Sequence, residues 1–326
     1  MKSIIILPFD FIAQWRPFPV YELISYVFMF ASIPMLAYGI RPYNLEVSKI
    51  IIFTIITMYS GFFAALIWND INDADIDYIV HSDRPIPSGR ISKNKFFTIA
   101  LFFSAITFIF SILISFWSLL VVSLAAIFVA LHNKFLKRLI KLPAYSEIFT
   151  PIQWTVVAIL GYMVIWSTLS LSNDVYINIP VIGSFSTNGY EFVNMVVLIF
   201  FIYFVDTAHD LPEGIHDAEG DNTYGVRTYT TSFSEKTAIK ISFFMFFLSG
   251  VMGFILFIRT DLTLIFLIPF IIIFVYTLLY SYLLQTKRFK EIENFGSVVG
   301  KKIYNFLIFS FDLIFLDIFI HIFLLK

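Results

Sequence analysis

The sequence predicts an all-α polytopic membrane protein: nine transmembrane helices around a central cavity, arranged as two repeated four-helix units plus a last helix. Three observations predict it. Of 326 residues, 59% are hydrophobic and 14% charged, with a mean hydropathy of +0.85; a soluble domain averages about 25% charged residues and is under half apolar. Stretches of roughly 20 mostly apolar residues, enough to cross a bilayer, recur at 20–39, 47–68, 95–115, 118–135, 148–171, 190–211, 237–258, 262–285 and 302–325. Two acidic stretches follow the second and sixth of these. An even number of spans separates them, so their host helices run parallel, as a duplicated unit requires.

Taken in order, residues 1–22 hold a short apolar run broken by Pro8, Asp10 and Arg16, which reads as an interfacial segment entering the first span. Tight connections at 116–118 and 259–261 make antiparallel hairpins of the third and fourth spans and of the seventh and eighth. With the N-terminus cytoplasmic, 18 of the 22 Lys and Arg fall on that side, leaving Arg41, Lys49, Arg259 and Lys326 outside. The bias orients an integral protein of the cell membrane and puts both acidic loops, about 69–94 and 206–236, in the cytoplasm. The whole chain, 1–326, reads as one polytopic domain. A net charge of −1 offers no basic field for nucleic acid. The lack of cysteine excludes disulfides, thiolate metal sites and a Cys nucleophile. The 41 Phe are read as lipid-facing bulk, although aromatic walls also suit carbocations.

The first acidic stretch, Trp68 to Ser92, carries Asp70, Asp73, Asp75 and Asp77 with Asn69 and Asn72 among them. If helix continues from the second span, Asp70, Asp73 and Asp77 share one face. Three carboxylates so placed repel unless a cation lies between them, and at a membrane edge the simplest is Mg²⁺, whose usual companion is phosphate. In the second stretch, Val205 to Thr228, the acids Asp206, Asp210, Glu213, Asp217 and Asp221 again keep to one helical face, with a kink or a fresh helix start expected at Pro212. An EF-hand is excluded: counting from Asp73, loop positions six and twelve are Tyr78 and Arg84, and counting from Asp217 they are Asn222 and Thr228. The carboxylates are therefore open to an external ligand. A diphosphate would also find positive charge nearby, at Arg84, Lys134, Lys137, Arg138 and Arg227; Arg84 sits in a rigid Arg-Pro-Ile-Pro-Ser-Gly segment and suits bidentate phosphate contact.

These residues resemble a known family. Asn69, Asp70, Asp73 and Asp77 reproduce the Asn-Asp-x-x-Asp-x-x-x-Asp signature of the UbiA superfamily of intramembrane prenyltransferases, and Arg84 to Arg90 is similar to its continuation. Asp217, Glu219, Gly220 and Asp221, followed by Gly225-Val226-Arg227-Thr228, resemble the partner motif. His132 to Arg138 resembles the weaker fourth-helix motif, with His132 where Tyr is common. Two departures stand out: Glu213-Gly214 replaces a frequent Lys-Asp, and Asp83 replaces a frequent Asn.

The resemblance implies Mg²⁺-dependent transfer of a polyprenyl group from its diphosphate to a lipophilic acceptor, an aromatic or quinone precursor or a glyceryl ether phosphate, within the bilayer. It implies one Mg²⁺ on Asn69, Asp70, Asp73 and Asp77 and a second on Asp217 and Asp221, with Glu213 a further ligand in place of the missing motif residue. Asp73, Asp77, Asp217 and Arg84 then carry catalysis, and Asn69, Arg84, Lys134, Lys137, Arg138 and Arg227 hold the diphosphate. The competing class is a transporter or ion pathway, since carboxylates in a helix bundle often mark one. Such pathways place charges at mid-membrane, where this chain offers chiefly Asp312, Asp317 and His321; Asp312 and His321 are read as an interhelical hydrogen bond rather than a relay.

Overall fold

The structure, a computed structural model, describes Trp15 and residues 18–169, 171 and 174–324. Among them are nine helices long and apolar enough to cross a membrane. The first half holds α1 (Val20–Tyr38), α2 (Leu45–Asn72), the short α3 (Ala74–Val80), α4 (Lys93–Ile114) and α5 (Phe116–Leu131). The second half holds α6 (Tyr145–Phe149), which leads into α7 (Ile152–Thr168), then α8 (Gly189–Thr223), α9 (Glu235–Arg259) and α10 (Leu264–Leu284); α11 (Phe289–Phe323) follows. Side-chain caps fix where spans begin: Asn44, Ser92, Ser115, Asn188, Ser234 and Thr263 each accept a backbone N–H two or three residues on.

The packing repeats. α2 lies most extensively against α4, as α8 does against α9; the α1–α2 contact is matched by α7–α8, and α4–α5 by α9–α10. α11 closes the bundle, packed on α8, α1 and α10. Where α11 crosses α8 it carries Gly296 and Gly300. A Cβ at 296 would lie 3.1 Å from the Pro212 carbonyl oxygen, and one at 300 would lie 2.6 Å from Glu213 Cγ. Small residues four apart let the two backbones approach. α1 and α8 are mostly buried, whereas α4, α5 and α10 turn most of their apolar side chains outward, as lipid-facing helices do.

Several features differ from the sequence-based expectation. α8 runs unbroken through Pro212 to Thr223, with no fresh start. Pro212 has no N–H to give the Ala208 carbonyl, and Ser242 Oγ of α9 donates to that oxygen instead, at 2.7 Å. A neighbouring hydroxyl thus satisfies the group the proline leaves open. The helix of the second span does not continue unbroken into the acidic stretch, as a shared face for Asp70, Asp73 and Asp77 would require; it breaks at Asp73 (φ −98°, ψ 4°) into α2 and α3. At the far end from the acidic stretches, Val175–Ile179 and Gly183–Thr187 form an antiparallel hairpin that the composition did not announce. It is held by Trp117 Nε1 donating to the Gly183 carbonyl at 3.0 Å. The interfacial segment expected at 1–22 falls outside the described residues except for Trp15 and residues 18–22; Trp15 is buried against Phe63 and Phe96.

Candidate active site

The break at Asp73 shapes the first half of the site. Its dihedrals lie in the sparsely populated bridge region, yet the hydrogen-bond ladder crosses it: Asp73 N–H donates to Asn69 O and Asp77 N–H to Asp73 O, each at 2.9 Å. The joint turns α3 onto α8. The four acids from Asp70 to Asp77 each meet a donor. Asp70 accepts from Trp15 Nε1 at 2.5 Å, Asp73 is paired with Lys137 Nζ, Arg138 grips both oxygens of Asp75 at 2.9 Å each, and Arg84 Nη1 meets Asp77 Oδ1 at 2.6 Å. Arg84 is held by a compact turn: its N–H donates to His81 O, its carbonyl accepts from Ser88, and Ile91 N–H returns to Pro85 O. Gly89 supplies the left-handed φ of +71° that this turn requires. Burial pushes the Asp77 carboxyl up against the pull of Arg84, and the charges of Asp70 and Asp73 push the same way. The Arg138 hydrogen bonds hold the more exposed Asp75 below the usual carboxylate range.

Lys137 arrives through an irregular turn. α5 ends in a five-residue π-helical segment, His132–Leu136, before a last turn at Lys137–Leu139. Such wide turns rotate the residues beyond them to a new face and recur at functional sites. Here the result is a buried Lys137 against Asp73, with Arg138 beside it on Asp75. Lys134, one turn earlier, faces outward with its ammonium 5.2 Å from the Phe135 ring and does not reach the acids. Arg227 is half-buried, and its carbonyl accepts Ser146 N–H at 3.0 Å, so α6 fixes the loop after α8.

The second half of the site is the uninterrupted end of α8. Asp217 Oδ1 lies 2.7 Å from His81 Nε2, which ties the two acidic stretches directly together. Asp221 feels the charges of Asp217, Lys137 and Asp73. Glu213 points elsewhere, toward Gly300 of α11 and 3.8 Å from His209 Nδ1. Asp206 is buried and its Oδ2 has no hydrogen-bond partner among the described residues. Sequence reasoning missed His81, whose signal was only a lone imidazole inside an acidic stretch, and Glu147 of α6, which lies against α8 and carried no motif at all.

This donor set suits a hard divalent cation: the acids offer oxygens only, and among the described residues Glu147 Oε1 and Asp206 Oδ2 are buried without partners. Among the described residues no three His, Asp or Glu side chains stand close enough to hold an ion in the arrangement seen; Lys137, Arg84 and Arg138 hold the first-stretch carboxylates instead. The acids within the spans do other work. Asp312 accepts from Ser25 Oγ at 2.6 Å, and Asp317 accepts the N–H and hydroxyl of Thr263 at 2.5 and 2.8 Å, with His321 beside it. Asp312 thus makes the interhelical hydrogen bond expected of it, whereas His321 meets Asp317 of its own helix.

The family model of the UbiA prenyltransferase family matches residues 25–296. The digeranylgeranylglyceryl phosphate synthase of Saccharolobus solfataricus is 25% identical over 174 residues, 53% of each chain, and that of Sulfolobus acidocaldarius is 26% identical over 170 residues, 52% of each. The chain thus spans about half the length of the curated relatives it matches. A UbiA homologue from Aeropyrum pernix K1 superposes with a TM-score of 0.61 at 18% identity, covering 90% of this chain and 99% of that one. A UbiA homologue from Archaeoglobus fulgidus bound to GPP and Mg²⁺ gives 0.52 at 15% identity, covering 90% and 97%. At these identities the likeness is one of fold.

Proposed function

The chain belongs to the UbiA prenyltransferase family, and from that premise we propose that it transfers a prenyl group from a prenyl diphosphate to a lipophilic acceptor in the bilayer, at the end of the bundle where the acidic stretches meet. The observation that carries this reading is the junction itself: Asp217 of the second stretch on His81 of the first, with Lys137 on Asp73. The excess of Lys and Arg at that end supports a cytoplasmic location for it.

In this reading Asp73, Asp77, Asp217 and Asp221, with Asn69 and Asp70, hold Mg²⁺. Bound there, the metal neutralises the diphosphate and stabilises the charge that grows on it. Arg84, Lys137 and Arg138 exchange a carboxylate for a diphosphate oxygen, and because each is already fixed, little ordering remains to be done. The C1–O bond breaks with its electron pair leaving on the diphosphate. The acceptor forms the new bond to C1 and gives up its proton. The apolar bundle keeps water from the allylic cation. Lys134, facing outward, has no part in this, and Glu213, on the α11 side, is at most peripheral to the second cation. Both named relatives are digeranylgeranylglyceryl phosphate synthases, so a glyceryl ether phosphate heads the acceptors to test. The experiment incubates purified protein and Mg²⁺ with labelled prenyl diphosphates of several lengths and an acceptor panel, and reads product mass. A prenylated acceptor with released diphosphate is expected; ion flux in liposomes without any prenylated product would favour a transporter.

A further inference from the structure

On the face of α8 that meets α6, between Asp210 and Asp217, stands Gly214. A Cβ built there would lie 2.9 Å from Glu147 Oε1, so the Glu147 carboxyl fills the space a side chain at 214 would need. Glu147 is 6% exposed. Its Oε2 accepts the Tyr229 N–H, while Oε1 is buried and meets no donor among the described residues. Asp210, Asp221 and Asp217 act on it with like charge. A buried carboxylate oxygen without a donor, among three more acids, is costly unless a proton or a cation completes it. The coincidence is specific: the position at which α8 lacks the expected acid is the one a carboxylate enters from another helix.

We propose that Glu147 supplies the carboxylate that α8 lacks at position 214, and that it helps to hold a divalent cation on the Asp217–Asp221 side of the site. This rests on the prenyltransferase reading for what the site is. A purely structural Glu147 would instead only anchor the Tyr229 amide, and the two roles separate under substitution. In Glu147→Gln the amide oxygen still accepts from Tyr229, but the charge is gone. In Gly214→Ala the charge remains, but the new methyl displaces Oε1, and alanine favours the helix.

The test uses the full purified chain, with Mn²⁺ as a spin-bearing probe and inorganic pyrophosphate as a non-reacting diphosphate, and follows free Mn²⁺ by electron paramagnetic resonance. The wild type is expected to bind two ions. Glu147→Gln should weaken one of them about tenfold or more, the range found when groups supporting a metal are removed, with an unchanged melting temperature. Adding Gly214→Asp to Glu147→Gln should restore that ion by placing a carboxylate on α8 itself. Gly214→Ala should weaken the same ion several-fold, and it carries the test alone should Glu147→Gln fail to fold. Wild-type isotherms in both Glu147→Gln and Gly214→Ala would overturn the assignment of Glu147 while leaving the prenyltransferase reading standing. A wild type that binds no Mn²⁺ with pyrophosphate would overturn that reading as well.

Discussion

The two acidic stretches face each other across one site but are built on opposite principles. In the first, at the joint between α2 and α3, each aspartate already has a donor: Trp15, Lys137, Arg138 or Arg84. In the second, on unbroken α8, Asp217 meets an imidazole, and among the described residues Asp206 keeps an oxygen without a partner and Glu147 brings another from α6. The first is a paired arm whose cations, in the proposed reaction, would be released to a phosphate. The second has carboxylate oxygens left over among the described residues, and it is there that the proposal places the added cation. Like charges gathered in a partly buried place raise the free energy of the empty site and so favour whatever cation enters it.

That contrast can be broken or sharpened by substitution. The largest effect is expected for Asp73→Asn, because it removes a site carboxylate and strands a buried Lys137. Turnover should fall by about 10²–10³, the usual loss for one electrostatic stabiliser, and stability by about 3 kcal/mol or more, as when one partner of a buried ion pair is deleted. Thermal unfolding and product assays on the same preparation separate the two losses. Ser242→Ala comes next: it leaves the Ala208 carbonyl bare opposite Pro212, at a cost of about 1–3 kcal/mol, read as a lower melting temperature with any loss of turnover secondary.

A smaller effect concerns pH. Asp75 is held below the usual carboxylate range by Arg138, so its contribution to stability is present above about pH 3.9, the unfolded value, and is lost as pH falls through its lower folded value. Asp77, raised by burial, has the opposite sign: its contribution is present below the unfolded value and lost as pH rises through its folded one. The melting temperature of Asp75→Asn should therefore approach that of the wild type as acid is added, whereas Asp77→Asn should gain on the wild type as pH rises from acid to neutral. The least effect is expected from Lys134→Ala, whose side chain faces outward; turnover should change by less than about twofold, as for most surface changes.

Much of this was legible in the sequence. The spans were fixed by apolar length, and the phasing of Asp217 and Asp221 came from helical spacing. What escaped notice depends on contacts between distant segments. Nothing at Asp73 marks a joint, since neither Gly nor Pro is there; the turn is made by α3 packing on α8. Pro212 argued locally for a break, and only Ser242 on another span cancels that argument. The π segment at His132–Leu136 has ordinary helix-forming residues, yet it decides that Lys137, rather than Lys134, meets Asp73. Glu147 has no motif, and its relation to Gly214 exists only once α6 lies on α8.

The claim that both stretches serve one reaction is tested most directly by Asp217→Asn in purified protein supplied with Mg²⁺, labelled prenyl diphosphate and acceptor. Among the described residues the hydrogen bond from the first stretch to Asp217 is the one from His81, so its loss should leave the fold intact. The expected result is a fall in prenylated product of about 10² or more at an unchanged melting temperature. Full turnover in the folded variant would contradict it.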